Sequence, residues 1–387
     1  MERLIATALE RLERSGLVAP GNALLGAVDD TVYWNRRDPK ISVLAPVFEQ
    51  LDIAALLYAR PAEPYRGMID FLAAHSSNGV IRPEDTESRT FLHEIRVETC
   101  LSTDAVVRAL ASRKSVVLPD GYVAVSGTVS VEQAYLHFSS VCFAVLVAFL
   151  SMVLSNRRAG RLCSAELSII EEALPLLPLP RLGQHALMTG PFEDELTAHA
   201  AMIEAGRAVV GHRLVDSFFG NISYRIGDVL FISQTGSALD ALEGAIDPVQ
   251  MHGGSSAAIT ASSELVAHLN IVETESVRAV LHGHPPFAVA LSLDCDRRET
   301  CAQRASCHIL CDAARAIGET PIIPGEVGTG PYGISTTLPP AIRGKKGVIV
   351  YGHGVFTVGR IDFKDAFETL VRIETACRER FLKRVGF

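Results

Sequence analysis

A run of prolines near the middle of the chain limits the possible folds more than any other segment. Residues 173–180 read Ala-Leu-Pro-Leu-Leu-Pro-Leu-Pro. A regular helix cannot continue through them, because each proline lacks an amide donor and restricts the backbone of the residue before it. Since a domain typically has roughly 150 residues, a chain of 387 residues interrupted here predicts two domains. We predict domains at 1–158 and 191–387, joined by a Leu/Pro-rich connector at 159–190.

The balance of charges excludes several classes of partner. Hydrophobic residues make up 48% of the chain and charged residues 21%, a composition typical of globular proteins. With 36 lysines and arginines against 44 acids, the formal net charge is −8, and we expect no broad basic face for nucleic acid or for an anionic membrane. The expected partner is therefore a small-molecule substrate, with neither nucleic acid nor a membrane.

The first residues and the cysteines indicate the cellular compartment. The chain starts Met1-Glu2-Arg3-Leu4, without the basic residues and the apolar core of an export signal. The most apolar run, Val141–Leu154, is 14 residues long, short of the roughly 20 that a membrane-spanning helix needs, and so predicts a buried helix. Eight cysteines in a chain without an export signal favour the reducing cytosol, and we expect a cytoplasmic protein.

Short apolar runs alternate with longer periodic segments in the second half. The runs predict strands and the segments predict helices. The predicted strands are 229–233, 277–282, 347–351 and 355–358, with a short extended piece at 321–324, and the predicted helices are 192–210, 263–274, 288–293, 299–318 and 362–384. Asp362 is a suitable N-cap for the last helix. The mixture predicts an α/β domain built from a layered sheet and helices.

Three histidines stand at the ends of predicted strands. His282 and His284 are two residues apart, so in an extended strand both side chains point to the same face. His353 lies between two glycines, which allow a close approach of the backbone. Imidazole nitrogens suit Zn²⁺ and similar divalent ions, and three protein ligands leave one position open, as in catalytic zinc sites. For the His282-Gly-His284 pair taken alone, two ordinary hydrogen-bonded histidines are the alternative.

A serine pair and a carboxylate come at the start of a predicted helix. Ser262 or Ser263 is a suitable N-cap and Glu264 is favourable in the first turn, so ordinary capping explains all three. Hydroxyls and free amides at a helix N-terminus also bind anions, here beside a carboxylate base. Two further polar turns that contain glycine, Gly220-Asn-Ile-Ser223 and Gln234-Thr-Gly236, are consistent with a pocket for a phosphate or a carboxylate.

Four of the cysteines lie close together in the sequence, between Cys295 and Cys311. An iron–sulfur or zinc site is one interpretation, but the segment has no Cys-x-x-Cys pair. In a helix at 299–318, Cys307 and Cys311 share one face. Buried small apolar side chains are the interpretation that we favour.

Taken in order along the chain, these motifs resemble those of the class II aldolase/adducin family. The motifs are Gly220-Asn-Ile-Ser, Thr235-Gly, Ser262-Ser-Glu, His282-Gly-His and Gly352-His-Gly, and the resemblance covers about 192–387. The family includes L-fuculose-phosphate aldolase and L-ribulose-5-phosphate 4-epimerase. Glutamate at position 264 is similar to the aldolases, whereas the epimerases have aspartate there. The aldolases also close the site with a tyrosine on a C-terminal tail, for which Tyr332 is the candidate here.

The resemblance implies a role for each motif. It implies His282, His284 and His353 as ligands of Zn²⁺ or another divalent metal, and Glu264 as the catalytic carboxylate that transfers a proton. The residues implied to bind the substrate phosphate are Gly220, Asn221, Thr235, Gly236, Ser262 and Ser263. The implied activity is that of a zinc-dependent aldolase-type lyase, which cleaves a small phosphorylated sugar or hydroxy-carbonyl compound by a retro-aldol reaction through a metal-stabilised enediolate. A metal-dependent epimerase, dehydratase or decarboxylase of the same superfamily and a non-catalytic adducin-like interaction module are the alternatives.

The first half contains a faint repeat of the second half. Residues 55–60 parallel 279–284, which puts Tyr58 and Arg60 where the first two histidines are, and Asp120 or Gly121 falls where the third one is. Arginine does not deprotonate to bind zinc, and no histidine replaces the others. We predict a tandem duplication whose first copy, 1–158, is degenerate and has no metal site. Coincidence among common α/β patterns is the alternative.

The resemblance also bears on assembly. Class II aldolases similar to the second half form four-fold rings, which implies a homo-oligomer, here a dimer that acts as a pseudo-tetramer. The segment Phe138–Leu154 is apolar around nearly its whole circumference, so a helix there needs cover on every side. Simple burial beneath the connector is the alternative explanation.

Overall fold

The computed structural model of the protein describes residues 1–177, 179, 186–216, 218–254, 256–274 and 276–387. The chain divides into two compact units. The first consists of Met1–Val153 with Leu162–Leu177, and the second of Leu154–Arg161 with Pro178–Phe387. Residues 178 and 180–185 of the predicted connector lie outside the described residues. The connector also differs from the sequence-based expectation in containing a helix, which belongs to the first unit.

The first unit alternates helices and strands along its length. Its helices are α1 (Glu2–Arg14), α2 (Ile41–Gln50), α3 (Tyr65–Ala74), α4 (Thr86–Phe91), α5 (Thr103–Leu110), α6 (Val131–Arg158, of which the last residues from Leu154 belong to the second unit) and α7 (Ser164–Ala173). Its strands are β1 (Val18–Val28), β2 (Val32–Trp34), β3 (Ala55–Pro61), β4 (Val80–Ile81), β5 (Ile95–Val97), β6 (Ser115–Val117) and β7 (Val123–Gly127).

The seven strands of the first unit form one mixed sheet in the order β2-β1-β3-β7-β6-β5-β4. Neighbouring strands are antiparallel except β5 and β6, which are parallel. Apolar side chains from the sheet, such as Leu56 and Val116, share one core cluster with Leu44 of α2 and Val106 of α5. Burial of this shared core is the main term that holds helices and sheet together.

The second unit has the same alternating character. Its helices are α8 (Glu195–Gly211), α9 (Leu265–Thr274), α10 (Pro286–Leu293), α11 (Ile334–Ile342) and α12 (Phe363–Val385). Its strands are β8 (Asn221–Ile226), β9 (Val229–Ser233), β10 (Ile246–Gln250), β11 (Ala279–Gly283), β12 (Arg315–Ile317), β13 (Thr320–Ile323), β14 (Gly347–Val350) and β15 (Gly354–Gly359). The predicted N-cap is confirmed, because the Asp362 side chain accepts a hydrogen bond from the Lys364 amide at the start of α12.

The eight strands of the second unit form a sheet in the order β10-β9-β8-β11-β15-β14-β13-β12, with only the β13–β14 pair parallel. Helices α9 and α11 cover one face, where Ile271 and Leu338 join Val280 and Phe356 in a core cluster. Helix α12 packs on β11 and β15 from the other face, the one to which Gly283 and Thr357 belong. The predicted α/β class with a layered sheet and helices is confirmed.

The two sheets share a topology. Leaving out β10, the second sheet reads β9-β8-β11-β15-β14-β13-β12, and each strand has a counterpart at the same place in the first sheet. The parallel pair also falls at the same place in both sheets. The strand without a counterpart, β10, lies at the edge of the second sheet. Duplication itself stays a prediction.

Most of the helices and strands predicted for the second half are present, with ends that differ by a few residues. The helix predicted at 299–318 is wrong, and the shared helical face of Cys307 and Cys311 falls with it. Residues 299–314 form turns around one short 3-10 helix at Arg304–Ser306, and β12 then pairs with β13. The segment has little apolar surface to bury along one helical face, since even Leu310 is 47% exposed. Strand pairing at the sheet edge therefore outweighs its helical preference.

Helix α6 contains the apolar run Val141–Leu154, which the sequence predicts to be a buried helix. By length and composition alone, α6 is the one helix in the described part of the chain that qualifies as a membrane span. However, 78% of its most apolar window is buried inside the protein. Phe138 and Phe149 are fully buried. This burial is typical of a core helix.

Candidate metal centre

The pairing of β11 with its two neighbouring strands positions the first residue of the candidate centre. His282 pairs with Asn221 of β8 on one side and with Phe356 of β15 on the other. Side chains of directly paired residues lie on the same face of a sheet, so these three form one row across it. The Phe356 ring stacks on the His282 ring with 3.9 Å between centroids. The row lies on the sheet face that α9 covers, and this places His282 beneath the start of α9.

Three histidines converge at this point. His284 follows the end of β11, and His353 lies in the turn between β14 and β15. The Nε2 atoms of His282 and His284 are 2.8 Å apart, and one ligand nitrogen of each of the three rings lies within 4.8 Å of the others. All three side chains are at most 2% exposed. Among the described residues this is the only group of three or more potential ligands, so the cysteines between 295 and 311 do not form one.

The geometry brings one nitrogen of each imidazole ring close to the other two. His282 Nδ1 lies 3.1 Å from the carbonyl oxygen of Val355, to which it donates a hydrogen bond, so Nε2 keeps its lone pair. Burial, together with the closeness of two further imidazoles, holds the pKa of His284 well below its ordinary value. A neutral imidazole is the form that binds a metal.

Gly354 makes room for these rings. A Cβ atom at this position would lie 2.6 Å from Cε1 of His282, 2.8 Å from Cδ2 of His284 and 2.6 Å from the carbonyl oxygen of Gly283. Such distances are too short for any side chain. The glycine that begins β15, the last residue of the Gly352-His-Gly motif, is therefore required by the close approach of two histidine rings.

Glu264 lies beside the histidines, just before α9. Its Oε1 is 2.8 Å from His353 Nε2, and its Oε2 is 3.5 Å from His282 Nε2. Oε2 also accepts a 2.7 Å hydrogen bond from the Asn221 amide. Burial raises the pKa of Glu264, but the electrostatic attraction of His282 and the hydrogen bonds from His353 and Asn221 outweigh burial and hold this pKa well below its ordinary value.

His268 supports this carboxylate through Asn221, a role that the sequence did not reveal. His268 Nε2 donates to Asn221 Oδ1 over 2.6 Å, and its Nδ1 accepts from the Ser223 hydroxyl over 2.7 Å. His268 is fully buried, and burial lowers its pKa to about 4, so the ring is neutral. The only sequence signal was its position four residues after Glu264, one turn along the same helix.

The residues predicted to bind phosphate lie in two groups. Asn221 is 5% exposed and engages Glu264 and His268. A bridge between Gln234 and Ala261 brings the second turn against the serine pair, where the Thr235 hydroxyl donates to the carbonyl oxygen of Ala261 over 2.9 Å. The remaining positions have three different settings: Ser262 is buried and its hydroxyl accepts from the Glu264 amide, Ser263 is exposed, and Gly236 has a positive φ of 72°.

Two further predicted positions complete this description. Gly220 comes just before β8, and a Cβ there would lie 2.7 Å from the carbonyl oxygen of His282, so the turn requires glycine. Tyr332, the candidate acid, is 48% exposed in the loop before α11. The assignment of all these residues to a substrate stays a prediction.

Residues 200–381 match the family described as the Class II Aldolase and Adducin N-terminal domain. This part of the chain is similar to class II aldolases and adducins. The match covers just under half of the chain and includes all three histidines and Glu264. The family predicted from the motifs is therefore confirmed for this part of the chain, while the first half lies outside the match. A search of curated protein sequences finds no match to this chain.

Solved structures with similar folds carry class II aldolase names. L-fuculose-1-phosphate aldolase from Thermus thermophilus is 21% identical, with 49% of this chain and 96% of that chain covered and a TM-score of 0.39. The sugar-phosphate aldolase from Thermotoga maritima is 16% identical, with 50% and 97% covered and a TM-score of 0.35. The N-terminal class II aldolase domain of a conserved protein from Thermoplasma acidophilum is 14% identical, with 52% and 99% covered and a TM-score of 0.36. At these TM-scores they add no weight to the family match.

Proposed function

We propose that the second domain is a zinc-dependent lyase that cleaves a small phosphorylated sugar or hydroxy-carbonyl compound by a retro-aldol reaction. The observation that carries the proposal is the convergence of three buried imidazole nitrogens beside the buried carboxylate of Glu264. Burying four polar side chains together costs free energy that packing alone does not return. A fold that keeps such a cluster is best explained by a use for it.

The donor set fits a divalent metal bound by His282, His284 and His353. Three neutral imidazoles suit Zn²⁺, whose Zn–N bonds of about 2.0–2.1 Å in a tetrahedral site put the nitrogens roughly 3.3 Å apart. The 2.8 Å between His282 Nε2 and His284 Nε2 requires only a small opening. Bound there, the metal supplies Lewis acidity toward the substrate's carbonyl and hydroxyl oxygens.

Glu264 is the proposed proton carrier. Its low pKa keeps the carboxylate ionised at neutral pH, and Asn221 and His353 fix its direction. In the retro-aldol step the substrate hydroxyl gives its proton to this carboxylate and becomes the carbonyl of one product. The electron pair of the broken C–C bond goes to the carbon beside the other carbonyl, and the proton returns to that carbon.

The phosphate end of the substrate is proposed to lie against Thr235, Gly236 and the Ser262-Ser263 pair. Ser263 is exposed, and the backbone amides at the start of the ten-residue helix α9 favour an anion at this point. Asn221, which is engaged with Glu264, is proposed to act on the carboxylate as well as on the substrate.

Metal analysis tests the ligands first. The purified protein should carry about one divalent ion per chain, and His284→Ala should remove it. His199→Ala, which changes a partly exposed histidine of the same unit outside the cluster, should retain it. Metal in the His284→Ala protein at the wild-type level would contradict the assignment.

Product analysis with a panel of phosphosugars and hydroxy acids tests the reaction. Two carbonyl fragments indicate a lyase, whereas an inverted centre, lost water or lost carbon dioxide indicates an epimerase, a dehydratase or a decarboxylase. Glu264→Gln keeps the shape of the side chain and loses its basicity, so turnover should vanish while the metal stays. A protein with neither metal nor turnover would be an adducin-like module, and the proposed function would be wrong.

We also propose that the first unit is a degenerate copy of the second, in a cytosolic homo-oligomer. The shared strand order supports the copy, as does the register: Tyr58 pairs with Ala124 as His282 pairs with Phe356. Gly121 precedes Ala124 by three residues, as His353 precedes Phe356. In the described part of the first unit no group of metal ligands is present. The eight free cysteines are consistent with a reducing compartment.

A further inference from the structure

A cavity lies in the second unit, apart from the histidine cluster. Its volume is about 230 Å³, below the roughly 300–1,000 Å³ of sites for drug-sized ligands. The cavity is bounded by the irregular segment that replaces the predicted helix at 299–318, by the start of β12 and by Tyr351 at the end of β14. None of the three histidines or Glu264 lines it.

Positive charge is concentrated on this cavity. Four arginines line it, Arg297, Arg298, Arg304 and Arg315, against one acid, Asp312. The other acids of the segment are engaged elsewhere. Asp294 pairs with both Arg158 and Arg384, Asp296 pairs with Arg384 at 3.1 Å, and Glu299 lies 3.9 Å from Arg158, so none of the three lines the cavity.

Part of the arginine set is held in place before any ligand binds. Arg315 Nη2 donates to the carbonyl oxygens of Ser292 and Asp294, each over 2.6 Å, and its Cζ lies 5.6 Å from the centre of the Tyr351 ring. Arg297 and Arg304 are exposed and make no ion pair or side-chain hydrogen bond within the described part of the chain. Because the Arg315 guanidinium is already fixed, binding an anion there loses less side-chain conformational entropy, and Arg297 and Arg304 remain available to bind it.

The rest of the wall is weakly polar. Cys295, Cys301, Cys307 and Cys311 line the cavity together with Leu293 and Leu310. Burial raises the pKa of the Cys307 thiol, so it is neutral at pH 7 and does not cancel the positive charge. A neutral thiol behaves as a small apolar group.

We propose that this cavity binds a small organic anion, with its carboxylate or phosphate on the arginines and its apolar part against the thiols. The wall of this cavity is close in sequence to the proposed metal centre. Tyr351 precedes His353 by two residues, and Gly352 lies between them. The Gly352 amide donates to the Ser292 hydroxyl over 2.8 Å, and the carbonyl oxygen of the same serine accepts from Arg315.

Protection of the cavity thiols from alkylation tests the proposal. The whole protein is treated with iodoacetamide at constant ionic strength, and mass spectrometry follows Cys301 and Cys307, with the exposed Cys100 and Cys163 as internal controls. The probes are benzoate and phenyl phosphate, and neutral benzamide is the control. Each anion that binds should slow alkylation of Cys301 and Cys307 at least threefold and leave Cys100 and Cys163 unchanged. The two anions together show whether carboxylate or phosphate is preferred.

Charge reversal identifies the residues. Arg297→Glu and Arg304→Glu should abolish the protection, whereas Arg360→Glu, on an exposed turn outside the cavity, should retain it. The protection should also persist in His284→Ala, which separates this site from the proposed metal centre. The proposal is overturned if neither anion protects, if benzamide protects equally, if Arg304→Glu stays protected, or if protection disappears in His284→Ala.

Discussion

Replacing Asn221 with alanine tests the chain of hydrogen bonds that supports Glu264. Asn221 donates to Glu264 over 2.7 Å and accepts from His268 over 2.6 Å, and both bonds are buried. Alanine leaves a carboxylate oxygen and a ring N–H without these partners in a region closed to water. The effect is therefore larger than the loss of an ordinary surface hydrogen bond.

The magnitude follows from the two partners. A buried group left without its partner costs about 1–3 kcal/mol, with the upper values for charged groups. We expect Asn221→Ala to lower the free energy of unfolding by about 3–5 kcal/mol. Asn270→Ala is the matched control, because Asn270 of α9 makes one neutral 2.8 Å hydrogen bond to the carbonyl oxygen of Ser335. Its loss should cost about 1 kcal/mol.

A double-mutant cycle isolates the charged bond. Combining Asn221→Ala with Glu264→Gln should give a coupling energy of about 1.5–3 kcal/mol, whereas Asn270→Ala with Glu264→Gln should give a value near zero. Urea unfolding is followed by far-ultraviolet circular dichroism, and the fluorescence of Trp34, the single tryptophan, reports separately on the first unit. A coupling below about 0.5 kcal/mol, or equal losses in the two alanine variants, would refute the supporting role of Asn221.

The remaining predictions concern a glycine, a pH response and assembly. Gly354→Ala puts a Cβ 2.6 Å from His282 Cε1, so metal affinity measured by chelator competition should fall at least tenfold, while Gly211→Ala, with open space around it, should match the wild type. Burial lowers the pKa of His137 to about 4 from 6.5, so as the pH falls the unfolded chain binds a proton at this residue before the folded chain does. His137 therefore leaves the free energy of unfolding unchanged above pH 6.5 and lowers it by up to about 3 kcal/mol toward pH 4. In urea unfolding between pH 4 and 7, His137→Gln should flatten this slope, and an unchanged slope would assign it to other groups. Light scattering at micromolar concentration should show a dimer, and a strict monomer would contradict the proposed oligomer.

The second half could be predicted from its sequence because its signals are local. A two-residue spacing decides that His282 and His284 share a face, and glycine beside histidine at a strand end indicates a crowded turn. Asp362 is likewise a local signal, since an N-cap acts on amides two residues away. Such features depend on neighbours within one turn or one strand. The sequence therefore predicted the family motifs and most strands of the second half.

The errors come from interactions between distant parts of the chain. His268 bonds to Asn221 and Ser223, 47 and 45 residues earlier in the chain, across the boundary between a helix and the sheet. The irregular segment after α10 is set by pairs such as Asp294 with Arg158, 136 residues apart. Contacts between residues so far apart produce no periodic pattern in the sequence. For the segment after α10, a weak helical preference is then the only local signal.

The position that corresponds to the candidate metal centre is filled differently in the first unit. The contrast bears on why the second unit keeps its histidines. Tyr58, at the place of His282 in the sheet, stacks on Tyr122 with 4.7 Å between ring centroids, and the Lys40 ammonium lies 5.4 and 5.8 Å from the centres of the two rings. Aromatic stacking and a cation over the rings stabilise a sheet end without any metal. A sheet of this strand order therefore does not depend on buried imidazoles for its stability. Since the second unit buries three of them together with a carboxylate, at a cost that stacking side chains would avoid, the cluster is better explained by ligand binding than by folding.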